Sequence, residues 1–391
     1  MTLTLKITDV AVGGDGIGRD DTGRVVMVRG ALPGETVHAT VVSEHGSHAR
    51  ADVVDVVEAA AERVAPPCPL QAAGCGGCGW QHVEPGAQRR LKAEMVASTL
   101  RRLGGVEDPR VDPGPELPAW GYRTTLRGEA SDEGRFSLHR HRSAGTIPVD
   151  DCLVAHPLAA EVIDGSWFPP GSEVTIRVGA GTGARMVVVD PSADGTEAPD
   201  EVRVVGGDEL EGGKRAWLHE VVAGRRFRVS ARSFFQPRPD GAEALVRLAG
   251  EGMPSPRHLV DLYGGVGLFA ALLGGEARVT LVESSPSAAA DARVNLADLD
   301  AKVVRGDVAR WRPRPADVVV ADPPRAGLGK SGVAAVVGTA ADHVVLVSCD
   351  AGALGRDTGL LRAAGYELVG ATLVDQFVGT PHVEVVAIFG R

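Results

Sequence analysis

One cysteine follows a predicted strand and precedes a predicted helix. Cys349 comes directly after the apolar run 343–348, and a helical pattern begins near Ala351. A lone cysteine is most often a buried structural residue. At the carboxyl end of a strand, however, a thiol faces the ligand cleft of an open α/β sheet, and a helix N-terminus favours its thiolate. We therefore predict that Cys349 is a nucleophile with a stabilised thiolate.

Two acidic side chains could act together with this thiol. Asp322 closes an earlier apolar run, and two prolines after it hold the backbone extended. Glu384 lies at the beginning of the last predicted strand, 383–389, where partial desolvation would raise its pKa into a range useful for a general base. His382 is the competing base. For Asp322 the structural alternative is a residue of an Asx-type turn.

A glycine turn follows the strand that begins at His258. The segment 260–269 runs from an apolar strand through three glycines into a helix, so that backbone N–H groups face a ligand. The G-x-G-x-x-G pattern of dinucleotide sites is incomplete, whereas Glu283 ends the next strand and can accept hydrogen bonds from both ribose hydroxyls. S-adenosylmethionine is therefore favoured over NAD. Capping of the helix near Pro286 is the structural alternative for Glu283. Asp307 closes the third strand at the same edge.

A nucleophilic cysteine beside a methyl donor indicates a particular reaction. C5 of a pyrimidine is too weak a nucleophile to take a methyl group unaided, but thiolate addition at C6 makes C5 enolate-like. A base must then remove the C5 proton before the cysteine can leave. Cys349 and Glu384 therefore predict covalent methyl transfer to C5 of a pyrimidine.

A second group of cysteines has the spacing of an inorganic site. Cys68, Cys75 and Cys78 fall within eleven residues, and glycines between them let the loop fold around a metal core. Cys152 is the remaining candidate for a fourth ligand. No second C-x-x-C pair exists as in common zinc ribbons. Spacing alone leaves an iron–sulfur cluster and zinc both open, and a disulfide framework is not expected from five cysteines.

The elements that must position these residues follow from the hydrophobic pattern. Short Val-rich runs between Gly and Asp turns predict a small β-barrel near the N-terminus. A helical pattern covers 84–103, and short β runs dominate 122–230. Continuous apolar strands then alternate with amphipathic helices, which indicates a parallel sheet covered on both faces. The predicted organisation is a small β-barrel at 1–62, a mostly β central domain at 63–235 and an α/β Rossmann-like methyltransferase domain at 236–391.

Composition limits the classes of protein and partner. The 391 residues contain no apolar run long enough for a membrane span and no secretory signal pattern, so a cytoplasmic protein is expected. A net charge of −10 argues against indiscriminate binding of polyanions. The segment 86–145, however, contains eleven basic and eight acidic residues, and this local excess of positive charge suggests an RNA site. No obligate protein partner is evident.

These motifs, in this order, resemble the RNA uracil-5-methyltransferase family over nearly the whole chain. The resemblance implies that residues 1–60 form an RNA-binding TRAM barrel and that the substrate is a uridine of rRNA or tRNA. It implies that Gln236, in the S-F-x-Q element 233–236, contacts the methyl donor. The residues that match the family's functional positions are Tyr263, Glu283, Asp307 and Asp322 for S-adenosylmethionine, Cys349 and Glu384 for nucleophile and base, and Cys68, Cys75, Cys78 and Cys152 for a [4Fe-4S] cluster.

Three features depart from the family pattern. Six residues separate the first two cysteines where five are usual, and Leu268 stands where many members have Asn. Residues 1–60 contain five basic and nine acidic side chains, which is unusual for an RNA-binding barrel.

Two other functions compete with this interpretation. An N-methyltransferase could contain the D-P-P-x element, although Arg325 replaces the expected aromatic residue. A noncatalytic RNA-binding protein could retain the cofactor fold.

Overall fold

The computed structural model describes residues 1–391, and the N-terminal strands close into a barrel. Side chains alternate between the interior and the surface, as β3 shows, where Val26 and Val28 are fully buried. The five strands are β1 (Thr2–Val10), β2 (Gly16–Arg19), β3 (Val25–Arg29), β4 (Thr36–Glu44) and β5 (His48–Glu58). They pair in the order β1-β2-β3-β5-β4.

The central region contains a six-stranded sheet and a separate hairpin. Its elements are α1 (Pro69–Ala72), α2 (Pro85–Gly104), β6 (Val111–Asp112), β7 (Thr125–Ala130), β8 (Phe136–His139), β9 (Thr146–Pro148), α3 (Pro157–Gly165), β10 (Glu173–Val178), β11 (Arg185–Asp190), β12 (Val202–Gly206), α4 (Gly207–Glu211), β13 (Trp217–Val222) and β14 (Arg225–Ser230). The sheet has the order β12-β11-β10-β7-β8-β9, and β13 pairs with β14.

The C-terminal region alternates strands and helices, as the apolar pattern predicted. Its elements are α5 (Pro239–Gly250), β15 (His258–Leu262), α6 (Leu268–Leu273), β16 (Arg278–Glu283), α7 (Pro286–Asn295), β17 (Ala301–Arg305), a 3₁₀ turn (Val308–Arg310), β18 (Val318–Ala321), α8 (Gly329–Gly338), β19 (His343–Ser348), α9 (Ala351–Ala363), β20 (Glu367–Leu373) and β21 (Val385–Gly390). The eight-stranded sheet has the order β17-β16-β15-β18-β19-β21-β20-β6. Strand β21 runs antiparallel to both of its neighbours.

Two elements before position 236 pack against this large sheet. Strand β6 pairs with β20, and Gly104 of α2 lies so close to α9 that an added Cβ would be 3.1 Å from Cγ2 of Thr358. The domain limits 1–62, 63–235 and 236–391 remain a prediction. Helix α2 and strand β6 precede position 236 in the chain, but they pack with the C-terminal sheet. No helix has the length and apolar character needed to span a membrane.

Candidate active site

The register of the two antiparallel strands brings the predicted nucleophile and base together. Ser348, at the end of β19, pairs with Val385, at the beginning of β21. Cys349 and Glu384 are the next residues outward from this pair, so both lie at the carboxyl edge of the parallel strands. Cys349 is half-buried, whereas Glu384 is 3% exposed. The thiol and carboxyl groups are close enough for Glu384 to raise the pKa of Cys349.

The prediction that the helix N-terminus stabilises the Cys349 thiolate is wrong. Burial, and then the carboxyl groups of Glu384 and Asp322, raise the pKa of Cys349 to about 11, although Arg325 lowers it. The beginning of α9 also has its own anionic cap, because Asp350 accepts a hydrogen bond from the Ala353 N–H at 2.7 Å. Desolvation and two carboxyl groups outweigh the helix dipole.

The half-buried Asp322 and the buried Glu384 form a pair of interacting acids. Burial raises the pKa of Asp322 to about 7, and burial together with Asp322 raises the pKa of Glu384 well above its usual range. Gln236 Nε2 donates a hydrogen bond to Asp322 Oδ2 at 3.2 Å, which favours the ionised form of Asp322. Glu384 Oε1 has no hydrogen-bond partner. The resting pair therefore has its charge on Asp322 and its proton on Glu384.

A second glutamine orients Gln236. Gln376 is fully buried, and its Nε2 donates to Gln236 Oε1 at 3.1 Å. Because that oxygen accepts, the Nε2 of Gln236 is directed at Asp322. Gln376 was not predicted from the sequence, because it lies in a loop without periodicity. Its position a few residues before Glu384 was the one available signal.

The glycine turn and Glu283, which were predicted to bind the nucleotide, are joined by a hydrogen bond. Glu283 accepts hydrogen bonds from the N–H groups of Gly265 at 2.9 Å and Ser285 at 2.6 Å. Ser285 itself caps α7, so helix capping does not account for Glu283. Tyr263 has φ +58°, a conformation that is uncommon for a bulky residue and marks this turn as constrained. Burial of the Tyr263 ring raises its pKa, and the nearby Asp307, which is itself exposed, raises that pKa further.

A third acid beside Asp322 and Glu384 is Asp261 in β15, which was not predicted from the sequence. Asp261 is fully buried, and its Oδ2 accepts a hydrogen bond from the Ala270 N–H at 3.0 Å. Burial, with smaller effects of Asp322 and Glu283, raises the pKa of Asp261 to about 8. The sequence signal was an acidic residue within an otherwise apolar strand. This group is protonated near neutral pH.

Asp261→Asn should reduce the pH dependence of stability. The folded pKa of about 8 lies above the ordinary value of 3.8, so the contribution to stability is present below about pH 4 and is lost as pH rises through 8. Because Asn cannot ionise, the wild type should lose about 1 kcal/mol more per pH unit than the variant across that window. Urea unfolding at pH 5 and pH 8 measures this difference. Parallel pH profiles for the two proteins would contradict the assignment.

The four cysteines of the second group meet at one cavity. Cys68, Cys75, Cys78 and Cys152 all line a cavity of about 330 Å³ and are free thiols. Burial, and then the neighbouring Cys152, raise the pKa of Cys78 to about 12. Gly76 lies close to the facing segment, because an added Cβ there would lie 3.1 Å from the Cα of His141.

Four thiols around one cavity are a donor set that an iron–sulfur cluster or a zinc ion could use. No three His, Cys, Asp or Glu side chains converge as one metal ion requires. Bonds of about 2.3 Å to one zinc place thiolates less than about 4 Å apart. A [4Fe-4S] cluster binds each thiolate through a different iron, so its ligands lie farther apart around a larger core. The four cysteines around one cavity supply the donor atoms that such a cluster needs.

The sequence and the fold match known proteins. Residues 1–54 match the TRAM domain family model. The chain is 38% identical to an uncharacterized RNA methyltransferase of Streptomyces avermitilis, over 98% of this chain and 97% of that protein. It is 37% identical to another of Streptomyces coelicolor, over 98% and 92%. The tRNA (uracil-54, C5)-methyltransferase of Pyrococcus abyssi in complex with S-adenosyl-L-homocysteine shares the fold, with a TM-score of 0.75, 22% identity and 99% of each chain covered.

The fold and the site define a Rossmann-like methyltransferase. Its parallel strands end at a glycine turn, at Glu283 and at Asp322, and S-adenosylmethionine is the methyl donor of such enzymes. The chain belongs to a family of RNA methyltransferases, as its identity to such proteins along its whole length shows, and its TRAM match and the order of its motifs fit the RNA uracil-5-methyltransferase family. It is therefore an S-adenosylmethionine-dependent RNA methyltransferase.

Proposed function

We propose that this enzyme methylates C5 of a uridine in rRNA or tRNA through a covalent bond between Cys349 and C6. The observation that carries the proposal is the register of β19 and β21, which puts a thiol and a buried carboxyl group side by side. An N-methyltransferase needs no such pair. The neighbour from Pyrococcus abyssi, whose fold is the same, acts on C5 of a uracil.

The side chains divide the reaction between them. Cys349 loses its thiol proton and adds to C6 as the thiolate, and C5 then takes the methyl group. Glu384, ionised once its resting proton has passed to solvent, removes the C5 proton, and the C6–S bond breaks to release the thiolate. S-adenosylmethionine supplies the methyl group and, when bound, a sulfonium cation. Since burial, and then the nearby carboxyl groups, raise the pKa of Cys349 to about 11, positive charge near the thiol is needed for addition, and Arg325 contributes some of it.

The surroundings of His382 support Glu384 as the base. His382 is exposed, its Nδ1 lies 3.4 Å from a guanidinium nitrogen of Arg325, and its ring packs edge-on against Phe377. Partial burial and then Arg325 lower its pKa. Glu384 is the buried group beside the thiol, whereas His382 contacts a residue that can bind RNA phosphate.

RNA containing 5-fluorouridine tests the proposal. Fluorine at C5 cannot leave as a proton does, so the wild type should form a protein–RNA adduct that survives denaturant. Nucleoside analysis of unmodified substrate should show 5-methyluridine. An N-methylated base, or cofactor binding with no adduct, would support the two competing functions instead.

We also propose that a [4Fe-4S] cluster is held by Cys68, Cys75, Cys78 and Cys152. We further propose that the enzyme works in the cytoplasm, where thiols stay reduced. Protein purified without oxygen should contain about four iron atoms per chain and absorb visible light. Cys152→Ser should lose most of this iron. Cys349→Ser is the matched control and should retain it. Stoichiometric zinc without iron would contradict the proposal.

A further inference from the structure

The basic side chains of the barrel are largely neutralised within the barrel. Arg29 pairs with Asp52 at 2.6 Å, and Arg50 pairs with Asp15 at 3.2 Å. Arg24 pairs with Asp20 at 3.0 Å. Because phosphate binding depends on unpaired Lys and Arg on the contact face, this barrel has little positive charge to offer RNA. Its contacts with the rest of the chain suggest another role.

The β1–β2 turn reaches the segment that leads to the base. Trp80 Nε1 donates a hydrogen bond to the carbonyl oxygen of Gly14 at 3.0 Å. An added Cβ at Gly14 would lie 2.5 Å from Cβ of Pro381 and 2.5 Å from Nε1 of Trp80. Gly13, one residue earlier, has no neighbouring atom within 4 Å of such a Cβ. We call the contact of Gly14, Trp80 and Pro381 the barrel junction.

The base loop, residues 374–384, is held by the N-terminal third of the chain. Trp80 N–H donates to the Gly379 carbonyl at 2.7 Å, and Gly379 N–H donates to Gln88 Oε1 at 2.7 Å. Lys92 Nζ donates to Asp375 Oδ1 at 2.6 Å, and both side chains are buried. The two ends of the loop are joined where Val374 N–H donates to the Glu384 carbonyl at 2.7 Å. Pro381 and Glu384 lie three residues apart within this anchored loop.

We propose that the barrel positions the base: its β1–β2 turn supports Pro381, so that Glu384 is held where it can remove the C5 proton. On this account the barrel acts on a chemical step rather than on RNA affinity. The inference rests on the proposed function, since it assigns a positioning role to the junction for that reaction. Gly14, Trp80 and Pro381 touch no reacting atom and act through Glu384.

Gly14→Ala and its matched control Gly13→Ala test this role. Both glycines have left-handed φ angles, +91° for Gly14 and +105° for Gly13, so both alanines introduce similar backbone strain. Only Gly14→Ala displaces the junction. We expect removal of the C5 proton to slow about 10- to 100-fold in Gly14→Ala, because misplacement by an ångström can cost 100-fold. Methylated adduct should then accumulate on unmodified RNA, with cofactor and RNA affinities within about twofold of Gly13→Ala.

Trp80→Phe gives an independent measurement, since it deletes the Nε1 donor without adding an atom. The same step should slow, by a smaller factor. If wild-type enzyme forms no adduct with 5-fluorouridine RNA, the proposed function fails. If it does form the adduct and Gly14→Ala behaves as Gly13→Ala does, the positioning role fails. Weaker RNA binding by Gly14→Ala with normal proton removal would overturn it too, because the barrel would then serve affinity.

Discussion

Cys349→Ala is expected to abolish methylation, by about four orders of magnitude or more, while S-adenosylmethionine still binds. The thiolate forms the bond to C6, and without that bond C5 does not become nucleophilic. Cofactor binding depends on other groups, because Glu283 is held by backbone N–H groups and Asp322 by Gln236. Single-turnover transfer of a labelled methyl group and calorimetric titration of the cofactor measure the two properties.

The isosteric variant Cys349→Ser serves as the control for packing. It fills the same volume, but its hydroxyl is a far weaker nucleophile, so it should be as inactive as Ala and as stable as the wild type. Neither variant should form an adduct with 5-fluorouridine RNA. Measurable turnover by Cys349→Ala would remove the thiol from the mechanism.

Glu384→Gln should stop the reaction at its last stage. Burial keeps the carboxyl group protonated at rest, so the neutral Gln amide resembles the resting side chain and folding should be preserved. Addition and methyl transfer need no base at C5, whereas elimination does. Loss of a general base costs about two to four orders of magnitude. The variant should therefore accumulate a methylated, denaturant-stable adduct with ordinary RNA, visible as a band of reduced mobility on denaturing gels.

His382→Gln is the matched control for this experiment. It removes a neighbouring titratable group that contacts Arg325, and it should leave elimination near the wild-type rate. If His382→Gln traps the adduct while Glu384→Gln turns over normally, the base is His382.

Part of the site could be predicted from the sequence because parallel strands share a carboxyl edge. Glu283, Asp322 and Cys349 each follow an apolar strand, and strands of this kind have one possible direction in the sheet. Glu384 is different. It follows β20 and precedes β21, and nothing local indicates that β21 runs in the opposite direction between β19 and β20. The resemblance predicted that Glu384 acts together with Cys349. The register of β19 and β21 explains why the two residues lie close together.

The error about Cys349 has a similar origin. The position beside α9 indicated a lowered pKa, but the shift depends on which carboxyl groups the folded chain brings near the thiol, and these come from β18 and β21. Gln376, Lys92 and Gly14 were missed for the same reason. Each acts through a partner more than 60 residues away in the chain. Hydrophobic periodicity predicts elements, and it contains no information about such pairs.

The insertion of β21 between two earlier strands has a consequence for synthesis and folding. Both neighbours, β19 and β20, leave the ribosome before β21 does, and until β21 arrives each presents an unpaired edge. A nascent chain at that stage has most of its sheet but not its pair of reactive groups, so it cannot be active. Open edges of this kind favour association between chains. Nonsense or frameshift changes in the β20–β21 region should therefore yield aggregates rather than a folded enzyme of low activity.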